Sequence, residues 1–132
     1  MQKGESAYIR QAIGYIKYRF RDPEISIRQI ARAVWLSPNY FGAIFKRHVG
    51  MSCLAYIKKL RMEFAAGLLL QSPLTVAEIA EKSGYPNISY FICDFRQFWG
   101  YPPQKCRDAH LAQTGRETAG PDVPLPGAPG EK

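Results

Sequence analysis

At 132 residues the chain can hold one domain or two very small ones, and 46% hydrophobic with 22% charged residues is the make-up of an ordinary globular protein. No apolar run is long enough to span a bilayer and the N-terminus does not read as a signal peptide, so no membrane partner is expected and the cytoplasm is the expected location. The net charge of +7 sits in one half: residues 1–61 carry twelve Lys or Arg against three acids, residues 62–132 six against eight. A half-chain so basic suits a polyanionic partner, because Lys and Arg gain affinity by displacing condensed counterions. Cys53, Cys93 and Cys106 are odd in number and widely spaced, without zinc or disulfide spacing, and read as free thiols.

In chain order, apolar residues recur at three and four, the period of amphipathic helices, and nowhere alternate as in strands. An all-α fold follows. The first helix is expected over Ser6 to Phe20, with Tyr8, Ala12, Tyr15, Ile16 and Phe20 facing the core and Asp22-Pro23 ending it.

An internal repeat comes next. SIRQIARAVWLSPNYFGAIFKRHVG (residues 26–50) aligns with TVAEIAEKSGYPNISYFICDFRQFWG (residues 75–100). Ile27 matches Val76, Ile30 matches Ile79 and Ala31 matches Ala80. After one extra residue in the second turn, Tyr40-Phe41 matches Tyr90-Phe91, Phe45 matches Phe95, Lys46 matches Arg96 and Gly50 matches Gly100. Each copy opens on a capping box, Ser26 with Gln29 and Thr75 with Glu78. A short helix follows, then a tight turn and a second helix. The turns are Leu36-Ser37-Pro38, with Ser37 as cap and Pro38 at the first helical position, and Gly84-Tyr85-Pro86-Asn87, with Asn87 as cap. Two such units are helix-turn-helix motifs, whose second helix can enter a major groove.

Between the copies, residues 52–71 read as one long helix of roughly 28 Å at 1.5 Å per residue. Major-groove faces on one side of a duplex recur every ~34 Å, so a stiff strut of this length suits two recognition helices in successive grooves. Leu54, Ile57, Leu60, Phe64 and Leu68 are its expected core residues, and Lys58, Lys59 and Arg61 its solvated or phosphate-facing ones. Gly67 in a helix interior costs about 1 kcal/mol relative to Ala, which close helix packing would offset. Residues 111–132 are rich in Gly and Pro with almost no large apolar side chain, and are expected to form a disordered tail after a domain covering residues 1–110.

The combination of IARAVWLSPNYFGAIFKRHVG, YIKKLRMEFAAGLLL, VAEIAEKSGYPNISYF and the closing GYPPQKCR resembles the C-terminal DNA-binding domain of AraC/XylS transcription regulators. The resemblance runs from about Tyr8 to Arg107. It implies about seven helices in two homeodomain-like subdomains joined by the central helix, and binding to double-stranded promoter DNA in bacteria. Family members usually carry a further N-terminal sensing or dimerisation domain, and activators contact RNA polymerase.

On the second helix of copy one, Phe41, Ile44, Phe45 and Val49 form the inward stripe, leaving Asn39, Gly42, Ala43, Lys46 and Arg47 outward. Asn39 can read a base edge, Ser37 and Tyr40 suit phosphate at the helix start, and Lys46 and Arg47 suit phosphate neutralisation. In copy two Phe91, Phe95 and Phe98 face inward. Ile88, Ser89, Ile92 and Cys93 face outward, Asn87 and Ser89 are the polar contacts, Ile88 and Ile92 can touch thymine methyls, and Arg96 and Gln97 replace the Lys-Arg pair.

Five positions depart from the pattern that the resemblance implies. Ala43 and Cys93 stand where the family commonly has arginine, Asp94 matches the apolar Ile44, Cys106 stands for a usual tyrosine, and Trp35 occupies a turn where small or polar residues are common. Copy one is therefore expected to supply most of the affinity.

Catalysis has no constellation here. His48 and His110 are the only histidines, Cys93 has no base beside it in the motif, and there is neither a glycine-rich phosphate loop nor a carboxylate pair at helical spacing. No catalytic residue, metal site or cofactor is expected. The competing class is a helix-turn-helix module of weak DNA affinity that serves mainly in protein–protein contacts.

Overall fold

The computed structural model describes residues 4–115, and they form seven helices with no strand among them. These are α1 (Glu5–Arg19), α2 (Ile27–Ala33), α3 (Pro38–Val49), α4 (Cys53–Gln71), α5 (Val76–Lys82), α6 (Ile88–Trp99) and α7 (Pro103–Gly115). Helix α7 continues beyond position 111, where the tail was expected to begin, and residues 116–132 of that tail lie outside the described residues. The chain divides into two compact units, Met1–Arg61 and Met62–Lys132.

The first unit buries Ile9, Ala12 and Ile16 of α1 against Ile30, Ala31 and Val34, then Phe41, Ile44 and Phe45 of α3, and Cys53 and Ile57 of α4. Ile9 is the deep residue that the sequence reading missed. Tyr8, Tyr15 and Phe20 pack only at the margin of this core, where a tyrosine can bury its ring and keep its hydroxyl at the surface. The second unit repeats the plan with Met62, Ala65, Ala66 and Leu69 of α4, Ile79, Ala80 and Tyr85, Phe91 and Phe95 of α6, and Cys106 of α7.

Helix α4 corrects the expectation of one apolar stripe. Leu54, placed in the core from sequence, is 61% exposed. The first unit takes Cys53 and Ile57 with Tyr56 and Leu60 beside them, and Leu54 lies about 100° round from the centre of that set. Within the second unit, Leu68 is half-buried and Leu69 is buried. Gly67 has nothing within 4 Å of the Cβ position it lacks, so its expected role in close packing does not hold.

Arg61 is half-buried and spends its guanidinium on backbone carbonyls. Its Nε donates to the Phe20 carbonyl at 2.7 Å and its Nη2 to that of Asp22 at 3.0 Å, closing the C-terminal end of α1. Arg107 does the same for α4, donating to the carbonyls of Leu69 at 3.1 Å and Ser72 at 2.9 Å. Guanidinium groups suit this task because they present several donors in a fixed plane to carbonyls that a helix end leaves unpaired.

Candidate nucleic-acid interface

Both motifs are built by the same local chemistry. In α2 the Ser26 hydroxyl accepts from the Gln29 amide while the Gln29 side chain accepts from the Ser26 amide, both at 3.2 Å. In α5 Thr75 and Glu78 exchange the same pair of bonds at 3.1 and 2.8 Å. The turns close identically: the Leu36 amide donates to Ala31 and the Tyr85 amide to Ala80, each at 2.9 Å. Such a closure puts the preceding residue in the left-handed region. Trp35 (φ 63°) and Gly84 (φ 98°) occupy that position.

The second helix of each motif then has fixed ends. Ser37 caps α3 by accepting from the Tyr40 amide at 3.2 Å, with Pro38 at the first helical position, and the helix stops at Gly50 (φ 91°). Asn87 caps α6 through Oδ1, accepting from the amides of Ser89 at 2.8 Å and Tyr90 at 3.2 Å, and Gly100 (φ 94°) ends it. The Asn87 carbonyl oxygen is thus committed to the cap, leaving its NH₂ to donate outward.

The outward faces follow from the buried ones. On α3, Phe41, Ile44 and Phe45 are buried and Val49 half-buried, while Asn39, Tyr40, Ala43, Lys46 and Arg47 are exposed and Gly42 is half-covered. On α6, Ile88, Ser89, Cys93, Arg96 and Gln97 are exposed, as is Asn87 before it. Ile92 is half-buried and packs against the second core, so it offers an edge rather than a whole side chain. Phe98 is likewise half-buried.

Two residues escaped the sequence reading, and a third, Asp94, was read there only as a departure from the first copy. Tyr90 is the counterpart of Tyr40 and stands 69% exposed on α6; the repeat alignment itself carried that signal. Asp94 does not project a bare charge, because the Tyr85 hydroxyl donates to its Oδ2 at 2.8 Å. Glu5, at the start of α1, reaches three side chains of α3. Its Oε2 accepts from the Tyr40 hydroxyl at 3.1 Å, its Oε1 accepts from Arg47 Nη2 at 2.7 Å, and His48 Nε2 lies 3.0 Å from the same oxygen. The Arg47 guanidinium above all, then the His48 ring and the Tyr40 hydroxyl, hold the Glu5 carboxyl at about 2, against an ordinary 4.5. Nothing in the sequence pattern links residue 5 to residues 40–48.

Cys53 and Cys106 are buried and Cys93 exposed, all three free; burial pushes the Cys53 thiol up to about 12. Among the described residues no group of three or more His, Cys, Asp or Glu gathers to hold a metal ion, and no helix is long and apolar enough to cross a membrane.

Two capped helix-turn-helix motifs, each presenting the polar side of its second helix, define a DNA-binding domain of the transcription-regulator type. A helix-turn-helix domain family model matches residues 30–109. The chain belongs to the AraC/XylS family and corresponds to its DNA-binding domain. It is 34% identical over 99 residues to the regulatory protein PocR of Salmonella typhimurium, covering 75% of this chain and 32% of that protein. To the melibiose operon regulatory protein of Escherichia coli K12 it is 30% identical over 111 residues, covering 84% and 36%. The chain thus spans about a third of the length of these relatives. Among solved structures it resembles the C-terminal domain of AraT, a response regulator of Geobacillus stearothermophilus, with TM-score 0.75, 34% identity and coverage of 76% of this chain and 84% of that one. It shares its fold with the DNA-binding domain of AdpA, solved in complex with a target DNA, at TM-score 0.74 and 20% identity, covering 85% and 97%.

Proposed function

We propose that the chain reads promoter DNA as a duplex, with α3 and α6 each inserted in a major groove and the two grooves successive. The observation that carries this reading is the outward row of α3. Asn39, Ala43 and Lys46 stand exposed on the side opposite the buried phenylalanines, on a helix fixed at both ends. Asn39 offers an amide for a base edge, Lys46 and Arg47 neutralise phosphates, and the Tyr40 and Ser37 hydroxyls sit at the margin. On α6, Ser89 and the NH₂ of Asn87 supply polar contacts, Ile88 and the edge of Ile92 apolar ones, and Arg96 and Gln97 the backbone contacts, with Gly42 and Cys93 as small residues that let each helix approach closely. The 19-residue α4 supports the successive-groove arrangement: at 1.5 Å per residue it spans roughly 28 Å, close to the ~34 Å repeat of the duplex.

The chain acts by binding, not catalysis, and works in the cytoplasm. The limited share of its relatives that it spans supports a sensing or dimerisation domain N-terminal to it in the working regulator, and membership of the family supports RNA polymerase as a further partner if that regulator is an activator.

The test is fluorescence anisotropy with random and promoter-derived duplexes over a salt series, comparing wild type with Lys46→Ala/Arg47→Ala. Binding that falls steeply with salt, weakens in the double variant and favours some sequences supports the reading. A second reading, a motif kept for protein contacts with little DNA affinity, draws on Ala43 and Cys93 standing on the outward faces where the family commonly has arginine. Absence of duplex binding at any salt would favour it.

A further inference from the structure

Tyr40, Arg47 and His48 converge on one carboxylate, and that carboxylate comes from another helix. Tyr40 and Arg47 are seven apart on α3, two helical turns, so they form one flank of the recognition helix beside the central row of Asn39, Ala43 and Lys46. In a major groove the central row of such a helix faces the bases and a flank faces the phosphates. A guanidinium and a phenolic hydroxyl are the donors that a phosphate takes. Here both are already engaged by Glu5, through bonds of 2.7 and 3.1 Å, with His48 Nε2 at 3.0 Å completing the ring of contacts.

We propose that Tyr40, Arg47 and His48 form a seat for one backbone phosphate of the bound duplex, and that Glu5 fills this seat in the free protein and is displaced when DNA binds. The inference rests on the DNA reading above. Two features support it. Glu5 is half-exposed at the first residue of α1, so its side chain can turn to solvent without opening the core. A carboxylate left in place would meet the incoming phosphate as a like charge on the same donors, so the two cannot share the seat. Copy two has no equivalent, since Tyr90 is exposed and Gln97 stands where Arg47 does. Occupancy of the first recognition helix is therefore set by where α1 begins, and any segment N-terminal to Glu5 that draws it away frees the seat.

The experiment measures duplex affinity of the full chain at about 50 mM salt, where surface electrostatics are strong, for wild type, Glu5→Ala, Glu5→Gln, Arg47→Ala and Glu5→Ala/Arg47→Ala. Glu24→Gln, an exposed acid elsewhere in the first unit, reports the effect of net charge alone. Glu5→Ala is expected to bind about threefold tighter than the Glu24→Gln control, the worth of a surface ion pair that no longer has to be broken. In the Arg47→Ala background that gain should fall to the level of the control, and in wild type it should fade as salt rises. Equal or weaker binding by both Glu5 variants would mean that Glu5 positions the recognition helix rather than competing with DNA, and would overturn the proposal. A gain that survives without Arg47 would overturn it too. If neither wild type nor any variant binds a duplex, the DNA reading itself falls, and the seat with it.

Discussion

Trp35 and Gly84 occupy the same position in the two turns, both in the left-handed backbone region, at φ 63° and 98°. The turn needs that conformation and glycine adopts it without cost to a side chain. Trp35 adopts it with its indole 88% exposed, so packing returns little of the strain. Trp35→Gly is expected to stabilise the first unit by about 0.5–1 kcal/mol, the left-handed penalty reduced by the extra entropy glycine loses on folding. Gly84→Ala should cost about 1 kcal/mol or more. Denaturant titrations of the two variants check both signs, and a destabilised Trp35→Gly would show that the indole makes a contact that offsets its strain.

Tyr85 and Asp94 stand where the first copy has Leu36 and Ile44, so one polar pair replaces one apolar pair. Asp94→Ile alone removes the carboxylate that accepts from the Tyr85 hydroxyl and is expected to cost about 1–2 kcal/mol. Adding Tyr85→Leu removes the hydroxyl that lost its carboxylate and should recover most of the loss. A double variant no better than the single one would show that the two positions do not act as a pair.

Two further changes act on the second half of the chain. Gly67 has open space around its missing Cβ, so Gly67→Ala should gain about 1 kcal/mol through helix propensity alone. The Ser83 hydroxyl is buried without a hydrogen-bond partner among the described residues, in the position that Val34 holds in the first copy. Ser83→Ala is expected to be neutral or to gain up to about 1 kcal/mol. Thermal unfolding compared with wild type decides each.

Of the three thiols only Cys93 is exposed. In the native protein a maleimide or iodoacetamide should label Cys93, with Cys53 and Cys106 following only on unfolding. If the α6 face enters a groove, a bulky adduct at Cys93 weakens duplex binding, and bound DNA protects Cys93 from labelling. Unchanged affinity after complete labelling would remove Cys93 from the interface.

The Glu5 carboxyl is held at about 2, below its ordinary 4.5. Whatever its bonds contribute is therefore fully present above pH 4.5 and is lost as pH falls through about 2. The side-chain carboxyl carbon of Glu5, followed by NMR, should titrate with a midpoint well below those of the other glutamates. A midpoint near 4.5 would show that the contacts with Arg47 and His48 do not persist in solution.

The repeat made most of the architecture readable. Capping boxes, turn caps and the phenylalanine stripes of α3 and α6 are local signals at fixed spacing, and a second copy in the same chain checks each one. What escaped was non-local or assumed a single face. Leu54 was misplaced because the face that α4 buries in the first unit is set by Cys53 and Ile57, which a periodicity count started from Leu54 does not centre on. The two arginine clamps and the Glu5 contacts join residues about forty apart, and no spacing rule reaches that far. Among the outward residues, the position of Ile92 at the edge of the core depends on how deeply α6 packs, which its own sequence does not encode.

Helices α3 and α6 begin on a side-chain cap, end on a left-handed glycine and have the same length of 12 residues. Their boundaries are therefore dictated by groups at their ends, apart from the outward residues along their length. The outward residues can be exchanged like type in a printer's frame, without the frame shifting. If α3 and α6 read a duplex as proposed, rewriting what such a chain recognises asks only for new letters at positions 39, 43 and 46 or 89, 93 and 96, which is the kind of change that single-nucleotide substitutions explore readily.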